Sequence, residues 1–379
     1  MATRCFAPTS NERGAYILRK RRENSPSLTL GARGRGMGGL VAVSTKITTP
    51  FSGHIVVWSY SRAGWTYVKS LNDRPFLHSR RCNVGKSVTI ASAAYGNRRG
   101  QQMSEITIGC ALWTLGPTPD VSALARQMET AAQIGCQSVQ PWVAHSDDWP
   151  CILDPDYGAS ADRREVRKIA ESLGLVFSGF CAQLQGASTF GGLEEREGLR
   201  GRIDKTKQAL STSAEMGGTV VTTHPGILPE NPSAEAYQIM LGSVAEIADH
   251  AASVGVYFAL ETGQEPPSVL GAFIDKIGNP WLKVNYDPCN LLRFGSEAGT
   301  IQGVQILRDK IIHTHAKDWN PQTREATCGE GLVPWDGYLG ALRDIGYSGV
   351  LAIEDETGNA DMVGSIRRSH AFLKGWLDA

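Results

Sequence analysis

From Ile106 onward the apolar positions switch period repeatedly, between short runs that are apolar or alternating and longer segments with apolar residues three and four apart. The short runs read as strands over 106–112, 138–143, 176–184, 219–224, 257–261, 282–287, 311–318 and 349–354. Helical spacing fills the intervals over 120–134, 161–173, 205–216, 234–254, 267–277, 300–308 and 335–345, and 361–377 closes the chain. Asp120 stands where a helix N-cap belongs, and Gly135 and Gly174 where helices stop. Eight strands alternating with eight helices predict an α/β fold, a (β/α)8 TIM barrel. A doubly wound open sheet is the rival, but no GxGxxG turn follows the first strand.

Residues 1–102 have no such rhythm beyond short apolar fragments such as HIVVW (54–58). They hold 17 Lys+Arg against 3 Asp+Glu, so of the chain's 38 of each the remaining 277 residues hold 21 against 35. A balance of +14 beside one of −14 separates two regions. The first is expected to be a basic extension of low order, because it offers too little apolar surface to offset chain entropy. A transit segment and a nucleic-acid arm are the functional readings of its composition, and Met103 is the expected working start of the barrel, 103–379.

The chemistry gathers where the last four strands end. In IIHTHAKD (311–318), His313 and His315 are two residues apart and share one face of a strand. If that face lines the barrel, His315 lies at the C-terminal mouth, a natural place for a metal ligand, and His313 one layer below. Three other strands end on an acid facing the same way: YFALE on Glu261, LKVNYD on Asp287 and GVLAIE on Glu354. One such acid would read most simply as a cap or a solvated loop residue. Four polar ends on consecutive strands read instead as a metal site on one rim. Three carboxylates and an imidazole suit Mn²⁺, Mg²⁺ or Co²⁺ better than zinc. A cation on adjacent oxygens of a sugar would stabilise the enediolate formed when a neighbouring C–H proton leaves. Glu261 and Glu354 are the candidates to exchange that proton, with Asp287 and His315 anchoring the ion.

Residues 103–379 resemble the xylose isomerase-like TIM barrel superfamily of sugar phosphate isomerases and epimerases. The motifs are LETGQE (260–265), NYDPCNLL (285–292), HTHAKD (313–318), the GEG turn (329–331) and GYSGVLAIEDE (346–356). The resemblance implies a metal-dependent isomerase or epimerase with Glu261, Asp287, His315 and Glu354 as ligands, the two glutamates as acid and base, and often a dimer or tetramer. A lyase or dehydratase acting on a keto-sugar or inosose would use the same site. Three departures keep the substrate open. Asn290 stands where epimerases of free ketoses often carry histidine, no arginine occurs among Asp318, Trp319, Asn320 and Pro321, and Gln183 ends the third strand where relatives often carry an acid.

Further substrate contacts are expected from His224, Gln264, Asn290 and Lys317, with Trp113 and Trp142 as an apolar wall. Each has a plainer structural alternative: His224 as a buried histidine, the tryptophans as space fillers, Lys317 as a salt-bridge partner. Glu265 shares the Gln264 loop, Glu330 reads as a loop-fixing residue, and Asp355 and Glu356 as solvated acids or partners of Lys317. The expected partner is a small sugar. Endonuclease IV shares the barrel, but its zinc cluster needs many histidines, and a domain of charge −14 is unsuited to gripping nucleic acid. A non-catalytic sugar-binding barrel would not need all four ligands. No apolar run approaches the roughly 18 residues of a membrane span. Eight cysteines without a CxxC pair point to a reducing, cytoplasmic setting.

Overall fold

The computed structural model describes residues 57–61, 64–68, 106–182, 191–294 and 297–379. The chain divides into two units between Ala94 and Tyr95. In the first, β1 (Val57–Ser61) and β2 (Gly64–Val68) form an antiparallel hairpin with Val57 opposite Val68 and Ser61 opposite Gly64. This is more regular structure than the apolar fragment at 54–58 suggests. The rest of the basic extension and the boundary near residue 102 lie outside the described residues.

The second unit opens with β3 (Thr107–Ala111), a short 3-10 turn over Leu112–Leu115 and α1 (Val121–Ile134). Asp120 caps α1 by accepting the Ala123 N–H at 2.7 Å, and Gly135 ends it at φ 104°, as the sequence implies. There follow β4 (Ser138–Gln140), α2 (Ser160–Ser172), β5 (Val176–Phe177), β6 (Phe180–Cys181), α3 (Leu199–Glu215), β7 (Val220–Thr223) and α4 (Glu235–Val254). Next come β8 (Tyr257–Glu261), α5 (Pro267–Ile277), β9 (Leu282–Tyr286), α6 (Pro288–Phe294), α7 (Glu297–Leu307) and β10 (Ile311–Ala316). A small hairpin, β11 (Asp318–Asn320) with β12 (Arg324–Ala326), precedes α8 (Trp335–Asp344), β13 (Val350–Ile353) and α9 (Met362–Leu377).

The main sheet runs β5-β4-β3-β13-β10-β9-β8-β7-β6, and every pairing in it is parallel. Its two ends, β5 and β6, are successive pieces of one strand position interrupted at Ser178 and Gly179. The first piece pairs with β4 and the second with β7. Hydrogen bonds from Cys181 N to Pro141 O and from Val143 N to Cys181 O join the second piece back to the β4 side. Nine segments therefore fill eight positions, and the sheet closes into the TIM barrel. Phe258, Val284, Leu351 and Ile353 are buried, as strands covered on both faces must be.

Three local features depart from the expected pattern. The third strand is broken, and Gln183 with the remainder of the run to 184 lies outside the described residues. Helix α3 begins at Leu199 rather than 205, because Arg202 and Ile203 are buried and extend its inner face backwards. Helix α6 and the β11–β12 hairpin have no counterpart in the predicted pattern; both are too short for periodicity to register.

Candidate metal centre

Strands β8, β9, β10 and β13 are neighbours in the sheet, and each brings one polar side chain to the C-terminal mouth. Glu261 is the last residue of β8, Asp287 follows β9, His315 lies in β10 and Glu354 follows β13. All four are buried, and one donor atom from each lies within 4.8 Å of all the others. His315 Nδ1 faces the acids, 3.0 Å from Glu354 Oε2, 3.4 Å from Glu261 Oε1 and 4.0 Å from Asp287 Oδ2. Asp287 Oδ1 accepts the N–H groups of Cys289 and Asn290 at 2.7 and 3.0 Å, which starts α6. Its other oxygen, Oδ2, is buried with no hydrogen-bond donor, and the cationic groups nearest it, Lys317 Nζ and His315 Nδ1, stay 3.9 and 4.0 Å away. A bare carboxylate oxygen in a dry interior is costly unless a cation meets it. The donor set and that orphaned oxygen therefore fit a hard divalent ion.

The surrounding side chains hold the carboxylates in place. Glu261 accepts from Asn290 Nδ2 at 2.9 Å and Asn285 Nδ2 at 3.2 Å, and His224 Nε2 lies 3.2 Å from its Oε1. Asn285 is itself oriented from the layer below, where His313 Nδ1 is 2.8 Å from its Oδ1. Glu354 accepts from Trp113 Nε1 at 3.0 Å on one oxygen and from Lys317 Nζ at 3.3 Å on the other. Lys317 also pairs with Glu356 at 2.5 Å.

The sequence profile of the xylose isomerase-like TIM barrel family matches residues 128–376, a span that includes all four clustered residues. The chain belongs to this family. Among solved structures, a xylose isomerase domain protein from Planctomyces limnophilus is 24% identical, with a TM-score of 0.59 over 72% of this chain and 96% of that one. An L-ribulose 3-epimerase is 16% identical, with a TM-score of 0.59 over 72% and 95%. The E. coli 3-keto-D-glucoside 4-epimerase gives 0.57 at 16% identity, over 72% of this chain and all of its own. Identities this low establish a shared fold. An uncharacterised protein of Methanocaldococcus jannaschii is 28% identical over 187 residues, 46% of this chain and 62% of the relative. The match thus spans less than two thirds of that curated relative's length.

Within this xylose isomerase-like barrel the site is strongly polarised. Burial pushes the Asp287 carboxyl up to about 7, and the neighbouring Glu261 and Glu354 charges add to that. Burial acts in the same direction on Glu354, but the charges of His315 and Lys317 outweigh it and bring its carboxyl to about 2. Glu261 is likewise held well below the usual carboxylate range, with His224 and His315 overcoming its burial. His315 is raised well above an ordinary imidazole because Glu354 and Glu261 outweigh the cost of burial. His313 is pushed down to about 3 by burial and by the adjacent His315 charge, so it stays neutral.

The xylose isomerase-like site gathers most of the side chains singled out in the sequence. Glu261, Asp287, His315 and Glu354 converge, and His224 and Asn290 both touch Glu261. Trp113 and Trp142 meet edge to face with ring centroids 5.7 Å apart, and Trp113 does more than fill space because it donates to Glu354. Lys317, two residues after His315, lies on the same inward face that strand alternation gives it and reaches Glu354, although β10 itself ends at Ala316. Gln264 is exposed, while its neighbour Glu265 is buried and close enough to His224 to feel its charge. Glu356 pairs with Lys317, but Asp355 is buried and accepts from Ser365 Oγ, so it is not a solvated acid. Glu330 holds Arg368 at 2.8 Å.

The sequence reading missed two residues that build this mouth. Gln140 reaches His315 from β4 across the barrel, with nothing local to mark it. Asp318 accepts from the backbone N–H groups of Trp319, Gly329, Gly331 and Val333 and from Trp335 Nε1, all between 2.8 and 3.1 Å. A side chain at Gly331 would collide with Asp318, its Cβ falling 2.2 Å from Oδ1. The GEG spacing around this loop was the available signal.

Proposed function

We propose that the protein is a divalent-metal-dependent isomerase or epimerase of a sugar, keto-sugar or sugar phosphate, working by proton abstraction next to a carbonyl through an enediolate. The observation that carries this reading is the convergence of Glu261, Asp287, His315 and Glu354 with Asp287 Oδ2 left without a hydrogen bond. These four would hold the ion, Mn²⁺, Mg²⁺ or Co²⁺ in preference to Zn²⁺. When bound, it supplies Lewis-acid stabilisation of the negative charge that develops on adjacent sugar oxygens.

The chain's own residues account for the proton. Glu261 and Glu354 come from strands separated by β9 and β10, so they approach a substrate over the mouth from different directions. One takes the proton from the substrate carbon and the other returns it. Each glutamate is fixed by donors of its own, Asn285 and Asn290 for Glu261 and Trp113 and Lys317 for Glu354. Fixed donors keep the carboxylates from turning as charge moves. Trp113 and Trp142 offer the ring faces against which a sugar's C–H surface stacks, and His224, a quarter exposed, can reach a hydroxyl. The epimerases among the structural relatives agree with this reading.

The test is to incubate the Mn²⁺-loaded protein in D₂O with ketohexoses, their phosphates and inososes. Deuterium entering the substrate with its carbon skeleton retained supports the reading. Loss of water or an aglycone would assign the site to a lyase. Absence of exchange across the panel together with absence of Mn²⁺ binding would overturn it.

A further inference from the structure

Gln140 ends β4 with no exposed surface, and β4 is not adjacent to β10 in the sheet. Its side chain nevertheless reaches His315 across the interior, with Oε1 3.0 Å from Nε2. The other half of the amide, Nε2, donates to the buried Thr222 Oγ1 at 2.8 Å. A neutral imidazole carries one proton on two nitrogens and can offer only the bare one to a cation. Because His315 turns Nδ1 toward Glu261, Asp287 and Glu354, that lone pair is available only if the ring keeps its proton on Nε2. Asn285 Nδ2 lies 3.3 Å from both ring nitrogens and so favours neither tautomer, whereas the nearer acceptor at Nε2 favours a proton there and anchors the ring plane.

We propose that Gln140, braced by Thr222, is a positioning residue that holds the proton of His315 on Nε2 and thereby presents Nδ1 as the ion-facing lone pair. The inference rests on the metal-site reading above. An amide turned the other way would donate to a bare Nε2 and force the proton onto Nδ1, aiming an N–H at the space the ion needs. Replacement by glutamate separates the two arrangements, since a carboxylate can only accept.

The experiment compares Mn²⁺ titrations of the full chain as wild type, Gln140→Glu and Gln140→Met, read by electron paramagnetic resonance with folding checked by circular dichroism. Gln140→Met, which removes the acceptor and keeps the bulk, is expected to bind about ten- to a hundredfold more weakly. Gln140→Glu is expected to bind at least as tightly as wild type. Equal affinity in wild type and Gln140→Met, or Gln140→Glu as weak as Gln140→Met, overturns the proposal. Nitrogen-15 spectra of the metal-free proteins, taken at a pH alkaline enough to leave the His315 ring neutral, give an independent readout: a His315 Nε2–H signal protected from exchange in wild type and Gln140→Glu and lost in Gln140→Met. If wild type binds no Mn²⁺, the metal reading fails. The spectra still decide the role of Gln140, and a wild-type Nε2 without its proton overturns it.

Discussion

Lys317 Nζ lies 3.3 Å from Glu354 Oε2, the same oxygen that faces His315 Nδ1 at 3.0 Å. One carboxylate oxygen thus lies between a buried ammonium and the place proposed for the metal. Like charge sets Lys317 against the ion, while the donor it does not spend on Glu354 and Glu356 suits a substrate oxygen. Lys317→Met is therefore expected to bind Mn²⁺ no more weakly than wild type and to turn over at least about tenfold more slowly, the loss of one charge-assisted contact. Calorimetry beside an exchange assay separates the two; weakened Mn²⁺ binding would make Lys317 a support for the ligands instead.

Asp287 carries a cost in the metal-free protein, since burial pushes its carboxyl up to about 7 and Oδ2 has no donor. Asp287→Asn keeps the oxygen that starts α6 and removes the buried charge. At pH 8 without metal the variant is expected to be at least as stable as wild type, by roughly 1 kcal/mol. Adding Mn²⁺ at a hundred times its dissociation constant should stabilise wild type by about 2.7 kcal/mol and leave the variant unmoved. Thermal melts with and without metal check both halves.

The loop after β10 is pinned by Asp318, whose two oxygens accept five N–H groups. Asp318→Ala strands buried donors and is expected to cost about 3 kcal/mol or more. Asp318→Asn, which keeps one acceptor oxygen, should cost less. Urea unfolding at fixed pH gives the comparison, and equal midpoints for all three proteins would contradict this account of the loop.

Glu265 is raised to about 7 by burial, so the folded chain keeps a proton that the unfolded chain loses above its ordinary value of 4.5. Unfolding between those values releases a proton, and this residue's contribution makes stability fall as pH rises from about 4.5 to about 7. Below that window the residue contributes no pH dependence, and above it the loss is complete. Glu265→Gln should flatten this part of the profile, seen in melting temperatures taken across the window. An unchanged slope would place the Glu265 proton elsewhere.

Much of the barrel was legible because its signals are local. A period of two fixes that His313 and His315 share a face, and an acid closing each of three neighbouring runs fixes where Glu261, Asp287 and Glu354 emerge. Helix α1 could be bounded from Asp120 and Gly135 because caps act through residues close in sequence. Asp287 followed by proline is a helix-start signal, but α6 is too short for periodicity to add to it.

Sequence by itself determined the closed alternation of strands and helices and the rim on which the ligands stand, since both depend on periodicity along the chain. Tertiary structure decided which neighbours complete the site. Gln140 meets His315 across 175 positions, and Trp113 meets Glu354 across 241. The first contact follows from the curvature of a closed sheet, which brings non-adjacent strands within hydrogen-bond reach through the interior, and the second from the pairing of β3 with β13; no pattern along a single strand records either.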